Sequence, residues 1–364
     1  MVALVLVLVL TALLAPCTGG ADRSATEGPG TTVKPSSSAP ATSPSRVPPR
    51  SKTPVTIAFA GDTHFAGVLA PGLADPATAM GPLASRLGAA DLSIVNLETA
   101  VTARGVPEPK DYVFRSPPSV FDALARAGVD VVTMANNHAL DYGPVSVPDA
   151  LAAARDKGFP VIGIGRTARE AFRPWITTVH GQRIAFLAAT AVVDAALVPT
   201  WSAGPRRAGV ATALDGDNAA LVAAIKQVRP QVDTVVVDMH YGSDLQQCPT
   251  EIQRGVVRDA VRAGADVVVG QHAHALLGAG YSGSAYVAYG LGNFQFYSAS
   301  GLTAETGVLT LTVDGRTVTR PVWTPGTVVA GRPQGLTGAA AESALAQWTS
   351  LRQCTGLQPR PPRT

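Results

Sequence analysis

Five of the six histidines, His64, His138, His240, His272 and His274, stand where short β-prone runs end. Each has a carboxylate, an amide or a tight-turn glycine beside it. In chain order the segments read Gly61-Asp62-Thr63-His64, Asn96-Leu97-Glu98, Asn136-Asn137-His138, His240-Tyr241-Gly242 and His272-Ala273-His274. Only His180 falls elsewhere, in a Val-His-Gly-Gln turn. Imidazole, carboxylate and amide donors together are the chemistry of a divalent-cation site. Extended chain points residues i and i+2 to one side, so Asp62 with His64, and His272 with His274, can each reach one ion. Glu98, Asn137 and His240 bring the donors to seven. One ion seldom takes so many from protein, and the set suits a two-metal cluster. No thiolate is among them, which excludes a cysteine-rich structural zinc site and leaves Mn, Fe, Zn or Co.

Plainer readings stand beside these. Asp62 and Glu98 also suit helix caps or turns, and His138 and His240 also suit loop positions satisfied by their neighbours. Arg115, after Val113-Phe114, has the fork geometry to grip an anionic substrate group, or is a surface arginine. Asn293, in a Gly-Asn-Phe turn, is a substrate-site candidate or a left-handed turn residue. Asp238 can accept from a metal-bound histidine or only satisfy backbone donors.

The elements that must position these groups alternate. Val55–Ala60, Leu92–Val95, Val129–Met134, Pro160–Ile164, Thr234–Val237 and Asp266–Val269 are continuous apolar runs, the pattern of strands buried on both faces. Helical stretches lie between them. Thr250-Glu251-Ile252-Gln253 is a capping box, followed by an apolar stripe of Ile252, Val256, Val257, Ala260 and Val261 that stops at Gly264. Asp217 and Ser119 are placed to cap two more helices. Strand–helix repetition of this kind specifies an α/β fold that binds ligands at the carboxyl ends of its strands. Residues 281–325 read instead as antiparallel strands with a turn at Asp314-Gly315. One helix, Ala339–Leu351, is expected in the tail.

Composition sets the compartment and excludes one class of partner. Residues 1–21 read as an export leader, because the apolar run from Val2 to Pro16 is short for a membrane span, with Cys17 a candidate for lipidation. Residues 22–53, rich in Pro, Ser and Thr, read as a disordered linker. A folded domain is expected over 54–330 and a helical extension over 331–364. The net charge is +3, and residues 1–50 hold four of the cations and two of the acids. The body is therefore close to neutral, with no basic stripe, which argues against nucleic acid as a partner. Cys248 and Cys354 then suit a disulfide or two unpaired buried thiols.

The ordered motif set resembles the capsule-biosynthesis CapA family, associated with poly-γ-glutamate synthesis and related to calcineurin-like metallophosphatases. The resemblance rests on Gly61-Asp62, Asn96-Leu97-Glu98, Asn136-Asn137-His138 with Asp141-Tyr142-Gly143, His240-Tyr241-Gly242, Gly270-Gln271-His272-Ala273-His274 and Tyr289-Gly290-Leu291-Gly292-Asn293-Phe294. It implies a four-layer αββα sandwich of metallophosphatase type. It implies one metal on Asp62, His64 and His274, and a second on Asn137, His240 and His272, with Glu98 at the bridging position. His138 would be the proton donor, oriented by Asp141. Glu98 departs from the superfamily's aspartate by one methylene, and many relatives lack a histidine at position 64. Two functions follow as expectations. One is an exported metal-dependent hydrolase acting on an anionic polymer or phosphoester of the envelope. The other is a non-catalytic, polymer-binding part of a membrane synthesis or export complex.

Overall fold

The apolar runs pair into two sheets that lie face to face between outer helices. The computed structural model describes residues 52–362. The expected leader, Cys17 and all but the last two residues of the expected linker lie outside the described residues.

The first sheet has eight strands. Its parallel half contains Val55–Thr63, Leu92–Leu97, Val131–Thr133 and Val161–Ile162. Glu305–Asp314, Thr317–Val329 and Arg332–Gly335 extend it antiparallel on the other side. Asn293–Gln295 pairs alongside the end of Val55–Thr63. In the second, six-stranded sheet, Gln182–Thr190, Thr234–Tyr241, Val267–His272 and Ala285–Leu291 run parallel. Antiparallel partners at Trp175–Val179 and Leu276–Ser282 close its edges. The antiparallel character expected over 281–325 is thus shared between the edges of both sheets.

Alternation along each strand divides the core into layers. Ile57, Phe59, Ile94, Phe186, Val236 and Val269 meet between the sheets. Ala58, Ala60 and Val95 face Phe121, Leu124 and Ala150 on the helices Val120–Arg126 and Ser146–Lys157. Leu187, Val237 and Met239 face Leu221, Ile225 and Val256 on the helices Ala219–Val228 and Glu251–Ala263. The order helix, sheet, sheet, helix is the expected αββα sandwich.

Local signals differ in how they resolve. Thr250 and Gln253 form the expected capping box, and Gly264 ends the helix in the left-handed region. Ile252, expected on the buried stripe, is exposed, and Gln253 is buried in its place. The Gln253 amide reaches back toward the carbonyls of Tyr241 and Tyr289, while Val256, Val257 and Ala260 are buried as expected. Ser119 is an N-cap by position but its side chain accepts no capping bond. Asp217 precedes the cap residue Asn218 and accepts from Ala219 N. The segment expected as a helical extension begins with the strand Arg332–Gly335 before the helix Gly338–Ser350. Trp348 of that helix stacks on Trp323, which ties the segment into the sandwich. Cys248 and Cys354 form a disulfide across 106 residues, so the alternative of two buried thiols falls.

Candidate metal centre

The carboxyl ends of both sheets meet at one edge of the sandwich, and the polar segments meet there too. Two cross-sheet hydrogen bonds fix the junction. Gln271 Nε2 donates to the Ala60 carbonyl (3.2 Å), and His272 N donates to Asp62 Oδ2 (3.1 Å). Gly61 is required beside them, since a Cβ there would sit 1.9 Å from the Gly292 carbonyl oxygen.

Two buried amides organise the first-sheet side. Asn96 Nδ2 donates to Asp62 Oδ1 (2.8 Å) and faces His240 Nδ1 (3.1 Å). Asn136 Nδ2 donates to Asn96 Oδ1 and to the Leu97 carbonyl, while its own oxygen accepts from His138 N. Asn96 and Asn136 stand in the sequence motifs, yet nothing in their type or spacing assigns them this role of holding Asp62, His240 and His138 together.

Donors gather on that frame in overlapping sets. Glu98, His240 and His272 each present a ligand atom within 4.8 Å of the others. So do Asp62, Glu98 and His274, and so do Asp244, His272 and His274. Glu98 is common to the first two sets. Asn137 Oδ1 lies 2.7 Å from His240 Nε2, placing the amide on the same side. Asn293 Oδ1 meets His274 Nδ1 at 2.8 Å and its amide nitrogen donates to the Thr303 carbonyl, so Asn293 orients His274.

The polar atoms left over show whether this set fits cations. Both Glu98 oxygens are fully buried without a hydrogen bond, and His272 Nδ1 is buried without one as well. Buried charges require pairing or a metal. Glu98 Oε1 has His240 Nε2 at 3.6 Å and His138 Nε2 at 3.8 Å, beyond hydrogen-bond range. Oxygen and imidazole donors with unspent lone pairs fit divalent cations of the Mn, Fe, Zn or Co type.

Burial and neighbouring charge set how these donors hold their protons. Burial, with the Asp62 charge beside it, pushes Glu98 well above the ordinary glutamate range. Burial opposes a charge on His274, but its bond to Asp62 and the Glu98 charge outweigh it and raise it to about 10. Burial holds His240 well below its usual value and His272 down to about 4, with neighbouring histidines adding to both shifts.

His138 sits at the rim of the set. Its Nδ1 is 2.6 Å from Asp141 Oδ2, and its Nε2 faces Glu98. Asp141 also accepts from Lys110 Nζ (3.0 Å) and Phe114 N (2.6 Å). Burial lifts Asp141 to about 7 against the opposing charge of Lys110. Burial, with Lys110 and His274 nearby, keeps His138 well below its usual value. Lys110 and Phe114 come from an irregular stretch with no periodicity to announce them.

Three expected site residues stand apart from the donor sets. His64 is turned away, with Ala66 N at 3.0 Å from Nδ1 and Tyr297 N at 3.2 Å from Nε2. Its ring stacks on Phe114, edge-on to Phe296, and burial, with His138 and His274 near, takes its pKa down to about 3. The i, i+2 argument fails because pairing slips register between Ala60 and Asp62 on one side and between Asp62 and Thr63 on the other. A bulge breaks the two-residue alternation. Arg115 is exposed and its guanidinium lies over the Tyr142 ring at 3.9 Å. Strand alternation sends it away from the side taken by Phe114. Asp238 lies deeper, reached by Gln271 Nε2 at 3.5 Å with its other oxygen unpartnered. Burial, with Asp62 adding, raises it to about 8.

Residues 56–298 match the family model described as bacterial capsule synthesis protein PGA_cap. The chain belongs to the PGA_cap family. Among curated relatives, a probable polyglutamine synthesis accessory protein of Mycobacterium tuberculosis is 31% identical over 194 residues. That alignment covers 51% of this chain and 50% of the relative. The capsule biosynthesis protein CapA of Bacillus anthracis is 29% identical over 179 residues, 48% of this chain and 42% of that protein. The chain thus spans about half the length of the curated relatives it matches. A solved structure described as a novel phosphatase of Mycoplasma pneumoniae aligns with a TM-score of 0.47 and 14% identity, covering 76% of this chain and 95% of that one. The PGA_cap match spans every donor of the site, from Asp62 to His274.

Proposed function

We propose that this PGA_cap protein is an exported, metal-dependent hydrolase acting on an anionic envelope polymer, or a phosphoester precursor of one. The observation that carries the reading is Glu98, a fully buried carboxylate with both oxygens unspent, shared by two donor sets at the junction of the sheets. Relatives named for capsule and polyglutamine synthesis support the polymer class. The apolar leader and the Cys248–Cys354 disulfide support an extracytoplasmic setting.

Asp62, Glu98 and His274 would hold one divalent cation, and Glu98, Asn137, His240 and His272 a second. When bound, such cations supply Lewis-acid polarisation of a phosphoryl or carbonyl oxygen. The chain's own groups do the rest. Asn96 fixes the orientation of both Asp62 and His240. His138 and Asp141 hold a proton between Nδ1 and Oδ2. When Asp141 keeps that proton, His138 carries another on Nε2, the atom that faces the site and can pass it to a leaving group. Lys110 anchors the pair by bonding both Asp141 and the Asn137 carbonyl.

Metal analysis of residues 54–364 comes first, followed by turnover of an aryl phosphodiester and of poly-γ-glutamate. Chelation should abolish turnover, and Mn²⁺ or Zn²⁺ should restore it. Asp62→Ala and His272→Ala should lose cation and turnover together, and turnover surviving both would refute a metal-dependent enzyme. Cation and polymer binding without turnover on either substrate class would favour the non-catalytic part of a synthesis complex.

A further inference from the structure

A carboxylate outside every motif, Asp244, joins His272 and His274 in the third donor set. Asp244 follows the Gly242 turn that ends the His240 strand. Its Oδ1 stands 3.4 Å from His272 Nε2. That is longer than the roughly 2.7–2.9 Å of a charge-assisted hydrogen bond. It matches the separation of about 3.4 Å between two donors on a tetrahedral ion held at about 2.1 Å. His272 has no hydrogen bond at its other nitrogen, although its side chain is only 10% exposed. A buried imidazole with Nδ1 unpartnered, its Nε2 facing a carboxylate at ligand spacing, is an arrangement that an ion completes.

The loop is held in place at two points just beyond Asp244. Leu245 N, next to Asp244, donates to the Ala273 carbonyl between the two histidines (2.8 Å). Leu245 takes a left-handed φ of 60° to do so, and His272 and His274 are themselves left-handed at 92° and 51°. Four residues beyond Asp244, Cys248 is tied by its disulfide to Cys354. An exposed aspartate (side chain 68% exposed) on an untethered loop would be free to leave. This one is pinned at the next residue and again at Cys248.

We propose that Asp244 is a cation ligand that closes the outer face of the site together with His272 and His274. The proposal rests on the cation reading given above and adds to it a residue that the expected ligand set lacks.

Equilibrium dialysis with Mn²⁺ and Co²⁺, followed by element analysis, tests it on Asp244→Ala, Asp244→Asn, His272→Ala and the unaltered protein. Asp244 is exposed, so equal thermal midpoints in EDTA for wild type and Asp244→Ala will show that folding is intact. The expected result is at least a tenfold weaker affinity at one ion in Asp244→Ala, with the visible spectrum of bound Co²⁺ altered and the other ion unaffected. Asp244→Asn should fall between the two. Wild-type affinity and an unchanged Co²⁺ spectrum in Asp244→Ala, with binding lost in His272→Ala, would overturn the role of Asp244 and leave the cation site standing. No binding of either ion by the unaltered protein would overturn both.

Discussion

Glu98→Gln should invert the order of stability between cation-free and cation-loaded protein. The substitution keeps length and branching and removes the charge. Without a cation, burial and the Asp62 charge raise the Glu98 pKa well above its unfolded value of 4.5. An acid raised on folding holds its proton more tightly folded than unfolded. Its contribution is complete below about pH 4.5 and is lost as pH climbs toward the folded value. Each unit in that window costs wild type at most about 1.4 kcal/mol, and glutamine nothing. Above about pH 4.5 the gap in EDTA should therefore widen in favour of the variant as pH rises. Cation reverses the order. Wild type gains about 2.7 kcal/mol at one hundred times Kd, whereas the variant lacks the carboxylate shared by both donor sets and gains little. Urea unfolding followed by circular dichroism, in EDTA and in Mn²⁺ across the pH range, reads both effects. Parallel pH curves, or equal gains from Mn²⁺, would refute the reasoning.

Cation uptake at pH 7 should release at least one proton per chain, from His274, which its bond to Asp62 and the Glu98 charge raise to about 10 when no ion is bound. Titration calorimetry in buffers of different ionisation enthalpy counts the protons, and zero release would contradict the assignment. Cys354→Ser removes a cross-link over 106 residues, worth about 5 kcal/mol in the chain-entropy model. For a body of this size that is a fall in Tm of about 7 °C, and a fall below about 1 °C would show that the loop is held by its packing instead. Gly61→Ala drives a methyl into the Gly292 carbonyl. The loss should be about 3 kcal/mol or more in urea unfolding, and an unchanged midpoint would show that the Asn293–Gln295 strand yields freely.

Much of this architecture was legible because the parallel strands are buried on both faces. Runs such as Thr234–Val237 and Val267–Val269 carry no amphipathic pattern, so they announce themselves, and polar residues at their ends stand out by contrast. The Thr250 capping box is legible for a different reason, since its two bonds lie within four residues. His64 was misplaced because a bulge is a property of two strands and leaves no mark on one. Ile252 was misplaced because Gln253 finds carbonyl partners on two separate strands, and propensity contains no such information. Lys110 and Phe114 reach the site from a stretch without period, so only the folded chain reveals them. Asp244 carried a faint signal, an acid two residues past the glycine that turns the chain after His240.

The pairing of Asp62 with His272 across the seam has a further consequence. Neither sheet owns a complete set of donors, so an ion seated there would act as a clasp between the two halves of the sandwich. Starvation for that ion would then loosen the join as well as silence the chemistry, with amide exchange rising first around residues 60–64 and 270–274.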